Sequence, residues 1–424
     1  MKVVNARTIR RLVRLAVGLG IAAAAGASAL ARQSAIEPVA LTHANVVDVR
    51  TGRVLSDATV VLRDGLIASI AQGAPPAGAR AIDLKGKYLL PGLIDAHTHI
   101  ASLRAMRSAL ASSVTTVRSA GAASYLDVGL RELARKGFLI GPDVLASGYH
   151  VRTHLAEEAF LNEPSLGDLM NGVRTIDDIR RVVRVNLDRG VDWIKVNATE
   201  RAGTADTDPR QQMFTEEELR AIVDEAASRN VPVQAHAHGD EGAMAAVRAG
   251  VRSIEHGTYL SDATLALMKD KGTFFVPTYS TVVDLAEPGG DYDQPALLVR
   301  GRHMLPRLRR AVQRAHRMGV KLVTGADTSY GAGSVTRISH EIGNFVEMGL
   351  SPLEAIQAAT TTAAELLRLG ASIGAVEAGY QADLIAVEGN PLEEVGVIED
   401  ALLVVSNGRI ALDRLDFAKA TSRR

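Results

Sequence analysis

Five short apolar runs in this chain each give out at a residue able to bind a metal, and that recurrence constrains the fold more than any other feature. Leu89-Leu90-Pro91-Gly92-Leu93-Ile94-Asp95 leads into His97-Thr98-His99. Val191-Asp192-Trp193-Ile194 leads into Lys195, and Val231-Pro232-Val233-Gln234-Ala235 into His236. Val251-Arg252-Ser253-Ile254-Glu255 ends in His256, and Val320-Lys321-Leu322-Val323-Thr324-Gly325-Ala326 ends in Asp327. Parallel strands of a barrel aim their C-terminal ends at one face, so five such endings can meet in one site. Imidazole and carboxylate suit a hydrolytic divalent ion.

With 424 residues, 47% of them hydrophobic, the chain can bury a large α/β domain and a smaller one. Basic and acidic residues both number 48, and nothing global points to nucleic acid. Residues 1–31 carry Lys2, Arg7, Arg10, Arg11 and Arg14 and no acid, which leaves 43 basic against 48 acidic residues beyond them. This segment reads as a cleaved signal peptide: a basic start, an apolar stretch from Leu15 to Ala25, and Ala29-Leu30-Ala31 as the cleavage pattern. The apolar stretch is short for a ~30 Å hydrocarbon core, so a periplasmic or secreted protein without stable membrane association is expected. Arg10-Arg11 leaves twin-arginine export open beside the general route. The absence of cysteine rules out disulfides and thiolate ligands.

From residue 38 to about 90 apolar and polar positions alternate, with turn pairs at Thr51-Gly52, Asp64-Gly65 and Lys85-Gly86. The same texture returns in Asp383–Val387 and Leu402–Ser406, where Asn407-Gly408 signals a type I′ hairpin. Neither end has enough strands for a core, so both are expected to build one β-sandwich, from 36–90 and 380–415. Between them, 91–379, strand-like runs alternate with helical ones. Thr215-Glu216-Glu217-Glu218 and Ser351-Pro352-Leu353-Glu354 are capping boxes, and a helix is expected from about Met304 to Met318, closed by Gly319. The expected fold is α/β: a (β/α)₈ barrel with a small β-sandwich domain built from both chain ends. No G-x-G-x-x-G after a strand supports a doubly wound alternative.

In a strand, residues i and i+2 share a side, so His97 and His99 can grip one ion, although H-x-H alone also occurs as ordinary polar surface. His236-Ala237-His238 repeats the pattern, with His236 preferred as ligand and His238 as a neighbour or substrate contact. His256 follows 20 residues later, room for a turn, a short helix and a strand. Lys195 reads on spacing as a lysine whose stem packs and whose amine reaches water. Buried and neutral, it could instead react with carbon dioxide to give an anionic bidentate ligand. Asp327 reads either as a turn aspartate or as a carboxylate that takes a proton from water.

These residues, with Ile254-Glu255-His256-Gly257, Thr324-Gly325-Ala326-Asp327 and the return Gly374 to Asp383, resemble the amidohydrolase superfamily over nearly all of the mature chain. Within it the chain is most similar to the branch of prolidase-like, Xaa-dipeptidase-type and ochratoxin-type hydrolases. The resemblance implies two divalent ions, usually Zn²⁺: His97, His99 and Asp327 on one, His236 and His256 on the other, bridged by an N6-carboxylated Lys195 and a hydroxide. Two departures bear on substrate: Thr115-Thr116-Val117-Arg118-Ser119-Ala120-Gly121, and Ser147 to His154 in place of a glycine-histidine motif.

His150 and His154 lie in a polar segment expected to reach over the barrel mouth, where Tyr149, His150 and Arg152 could bind a substrate carboxylate or the oxyanion; Tyr279 could stack on substrate and His340 line the pocket, with loop, core or surface packing the alternative for each. His43, His303 and His316 read as structural. The expected reaction is hydrolysis of a C–N bond in a dipeptide, an N-acyl amino acid or an ochratoxin-like amide, with Asp327 handling the proton. Cyclic amide or lactone hydrolysis on the same site, or an exported non-catalytic binding protein, are the alternatives. A deaminase is disfavoured by the Ala-His-Gly after His236. The partner is a small molecule, not nucleic acid, and a homo-oligomer is left open.

Overall fold

A computed structural model of the chain describes residues 37–416, and residues 1–31, expected as a signal peptide, lie outside them. The two chain ends share one eight-stranded sheet. Its N-terminal strands are β1 (Val39–Asp48), β2 (Arg53–Arg63), β3 (Leu66–Gln72), β4 (Arg80–Asp83) and β5 (Tyr88–Pro91). The C-terminal strands are β13 (Leu384–Val387), β14 (Leu403–Ser406) and β15 (Arg409–Asp413). The order is β15-β14-β13-β5-β1-β2-β3, with β4 also beside β1, and the join is antiparallel, Leu384 opposite Pro91 and Ile385 opposite Leu90. Side chains alternate as a pleated strand requires. Leu384, Ala386, Leu403 and Val405 enclose a small core with Leu41, Val60 and Leu89, whereas Ile385, Val387 and Val404 join the large core. Asn407 and Gly408 both have positive φ, 50° and 73°, as a type I′ turn demands.

The central region alternates strands and helices. Strands β6 (Leu93–Thr98), β7 (Val114–Ser119) and β8 (Asp143–Leu145) pair in parallel. So do β9 (Ile194–Asn197), β10 (Val233–Ala237), β11 (Ser253–His256) and β12 (Phe274–Val276). Isolated parallel bridges link Val151 to Val196, Leu322 to Phe275 and Thr328 to Thr98. The run 320–327, expected as a strand, is therefore paired only in places. Its N–H groups go to several acceptors: Thr324 to Ala358 O, Ala326 to the Asp95 carboxylate, Asp327 to His97 O. Gly325 sits where a Cβ would lie 2.6 Å from Val276 and 2.8 Å from His97.

Both capping boxes form, Thr215 with Glu218 and Ser351 with Glu354, and start helices at Glu216 and Pro352. The helix expected from Met304 begins nine residues earlier, at Pro295, and runs through Pro306 to Met318. Gly301 in that added segment lets it press on the backbone of Leu285, where a Cβ would meet an atom at 2.4 Å.

Candidate metal centre

The ends of the parallel strands bring eight chemistry-bearing side chains into one cavity: His97, His99, His150, Lys195, His236, His238, His256 and Asp327. Backbone turns help to place them. His256, Thr278 and Asp327 have φ of 72°, 47° and 46°, a left-handed conformation that non-glycine residues adopt at a cost. Two sets of ligand atoms lie within 4.8 Å of one another: His97, His256 and Asp327, and His236, His238 and His256.

Each imidazole is oriented by one nitrogen, which leaves the other available. His97 Nδ1 lies 2.7 Å from Glu255, His99 Nδ1 3.0 Å from Gly121 O and His256 Nδ1 2.8 Å from Thr278 Oγ1. His238 Nδ1 lies 2.9 Å from Thr258 Oγ1, and His236 Nε2 2.9 Å from Glu200 O. Such outer partners are how ligand histidines are held in tautomer and pose. Burial keeps the rings of His97, His236, His238 and His256 neutral: it brings His97 down to about 4, helped by the Lys195 cation, and His238 to about 3. His236 and His256 fall well below the usual range, again through burial first and then neighbouring imidazoles. A neutral ring offers its lone pair to a cation.

Asp327 Oδ1 lies 3.2 Å from His99 Nε2 and 3.4 Å from His97 Nε2. Burial works against its charge, but His97, His99 and Lys195 outweigh it and hold the carboxyl below the usual range. Lys195 is 1% exposed, with Nζ 3.5 Å from His97 Nε2. Burial lowers its amine to about 8, against the pull of Glu255 and Asp327. That puts a reactive neutral amine within reach near neutral pH. Neutral imidazoles, an ionised carboxylate and a buried lysine make a donor set that fits divalent cations.

Of the sequence-derived candidates, His97, His99, Lys195, His236, His256 and Asp327 come together, and His238 stands beside His236 as an equal donor. His150 also reaches the cavity, held by Asn197 at 3.0 Å. Arg152 and Tyr149 line only an adjoining space. Tyr149 spends its hydroxyl on Ser124 N–H, which it accepts at 3.0 Å, and on Glu158 O, as a buried phenol must find partners. Three other candidates are not brought to the histidines. His154 is exposed beside Thr153. Tyr279 packs in the core, because the left-handed turn at Thr278 presents Thr278 to the cavity instead. His340 is exposed on the helix Ile338–Glu347, over a separate surface cavity.

Sequence reading passed over Glu255 and Arg118. The Arg118 guanidinium is fully buried, bonds both carboxylate oxygens of Glu255 at 2.9 Å, and lies 4.6 Å from the Trp193 ring. It also donates to Ala96 O and Ser253. Despite burial, Arg118 keeps Glu255 down at about 2, so a charged acceptor faces His97. Asp95 accepts N–H bonds from His97 and Ala326 and the Tyr330 hydroxyl bond at 2.8 Å, tying β6 to the segment that carries Asp327. Arg201 and Tyr292, on long loops, complete the cavity wall.

Such a site at the ends of parallel strands groups side chains that could hold a metal ion. The Amidohydrolase family model matches residues 88–411, and the chain belongs to that family. Ochratoxinase from Aspergillus niger is 29% identical over 405 residues, covering 85% of this chain and 84% of that protein. A crystal structure of a Xaa-Pro dipeptidase with bound methionine superposes with a TM-score of 0.78 at 28% identity, over 88% of this chain and 99% of that one. A prolidase complexed with N-methylphosphonate-L-proline gives 0.76 at 29%, with the same coverage. The chain is thus an amidohydrolase-type hydrolase of the branch that holds prolidases and ochratoxinase.

Proposed function

We propose that this protein hydrolyses a C–N amide bond of a small substrate: a dipeptide, an N-acyl amino acid or an ochratoxin-like amide. The observation that carries the reading is the buried cluster itself, neutral imidazoles beside an ionised Asp327 and a lysine with a lowered pKa. The names of the similar proteins, a Xaa-Pro dipeptidase, a prolidase and an ochratoxinase, favour a small amide over a sugar or nucleotide. His97, His99 and Asp327 would hold one divalent ion and His236 and His256 a second, with a carboxylated Lys195 between them; zinc is the expected metal. When bound, the ions polarise the scissile carbonyl and acidify water. Asp327, kept ionised by its neighbours, takes the proton of the attacking water and passes it to the leaving nitrogen. Glu255 and Thr278 hold His97 and His256 in place throughout.

The isolated bridges at Val151, Leu322 and Thr328 support closure of the parallel strands into a (β/α)₈ barrel over 91–379. The shared terminal sheet supports a separate β-sandwich domain from 36–90 and 380–415. The basic, acid-free segment 1–31 supports export and removal after Ala31, which N-terminal sequencing of the mature protein checks. Protein loaded with zinc and bicarbonate is expected to turn over members of a dipeptide and N-acyl amino acid panel. Asp327→Asn is expected to lower kcat by about 10² or more. Metal-replete protein that leaves the whole panel intact, yet opens a cyclic amide or lactone, would overturn the assignment.

A further inference from the structure

The helix Tyr279–Ala286 begins just after Thr278, and its start departs from the usual arrangement. The residue before a helix is normally extended and turns its side chain onto the first free N–H groups of that helix. Thr278 is left-handed instead, with φ 47°, and its hydroxyl caps nothing. That buried hydroxyl lies 2.8 Å from His256 Nδ1.

The N–H groups it leaves are met from a neighbouring helix. Glu341, on the helix Ile338–Glu347, accepts the Tyr279 N–H through Oε1 and the Ser280 N–H through Oε2, each at 2.8 Å. Its Oε2 also accepts the Ser280 hydroxyl at 2.7 Å, and Asn344, one turn further on, donates to that hydroxyl oxygen at 3.2 Å. The Thr281 N–H closes on Thr278 O at 3.1 Å, and Thr281 Oγ1 donates to Ala326 O at 2.9 Å, next to Asp327. Glu341 is fully buried, and no cation pairs with it among the described residues. Burial pushes its carboxyl up to about 7, against the three donors. A buried carboxylate without a counter-charge is a costly way to cap a helix. Thr278 could satisfy one of these N–H groups itself, but only by giving up His256.

We propose that Glu341 is a positioning residue for the metal centre: it caps the helix Tyr279–Ala286 from outside and so frees the Thr278 hydroxyl to hold the His256 imidazole. The inference rests on the metal-binding reading of the histidine cluster and extends it to a residue that touches none of the ligands. Glu341 acts through Thr278, so the two residues share one effect on metal affinity.

A double-mutant cycle on zinc affinity, read by competition with a chromophoric chelator, tests this. Thr278→Val and Glu341→Gln are each expected to weaken zinc binding by about tenfold, and the double variant by about tenfold as well. Losses that multiply to about a hundredfold would make Glu341 an independent structural support and overturn the proposal. Unchanged zinc affinity in folded Glu341→Gln overturns it too. Should that variant fail to fold, Glu341→Asp, which keeps the charge but draws it back by one methylene, enters the same cycle with the same reading. Wild-type protein that takes up no zinc overturns the metal-binding reading and the proposal with it, whereas multiplied losses overturn the proposal alone.

Discussion

His97 owes its pose to two side chains behind it. Glu255 takes its Nδ1, and Arg118 holds Glu255 with two bonds while stacking on Trp193. Both partners are fully buried, so removing one leaves an uncompensated charge, an effect of about 3–5 kcal/mol. Glu255→Gln is accordingly expected to lower urea stability by about that amount and to weaken zinc binding by roughly 10–100-fold in competition with a chromophoric chelator. Unchanged zinc affinity in a folded variant would remove Glu255 from the site's machinery. Sequence alone had little chance of selecting it. Neighbours in a strand point to opposite sides, so Glu255 beside His256 looks like the wrong face. Only the left-handed turn at His256 brings both toward His97, and no local pattern marks that turn.

At the scale of elements, what was legible was local chemistry. The capping boxes at Thr215 and Ser351 and the hairpin at Asn407-Gly408 are satisfied within four residues, and each forms as expected. What failed depended on packing: the helix extension through Gly301 answers to Leu285, and the run before Asp327 shares its N–H groups among four neighbours. The settings of Tyr149 and His154 in loops, and of Tyr279 and His340 on helices, were beyond any periodicity.

The joint between the terminal sheet and the rest of the molecule carries a titratable group of its own. Asp383, just before β13, accepts the Asn407 N–H at 2.7 Å and the Gln381 amide at 2.9 Å. Burial, then the nearby Asp143 carboxylate, pushes it up to about 8 from an ordinary 3.8. A carboxyl with a raised folded-state pKa gives stability that is fully present below about pH 4 and is lost as pH rises through 8. Asp383→Asn is therefore expected to flatten the fall in urea midpoint between those limits. An identical slope in wild type and variant would show that Asp383 is not protonated in the fold.

For the whole molecule, the union of the two chain ends was readable because neither carries enough strands to bury a face alone, and β5 against β13 is the pairing that results. That sheet packs Ile385, Val387 and Val404 on the large core, so it braces the strands whose opposite ends hold the histidines. The convergence of six residues spread from His97 to Asp327 is the claim on which everything else depends. Crystals grown with zinc and bicarbonate, measured with anomalous scattering at the zinc edge, test it most directly. Two peaks bounded by His97, His99, Lys195, His236, His256 and Asp327, with added density on Lys195 Nζ, are predicted. A peak seated elsewhere, or none in that cavity, would contradict it.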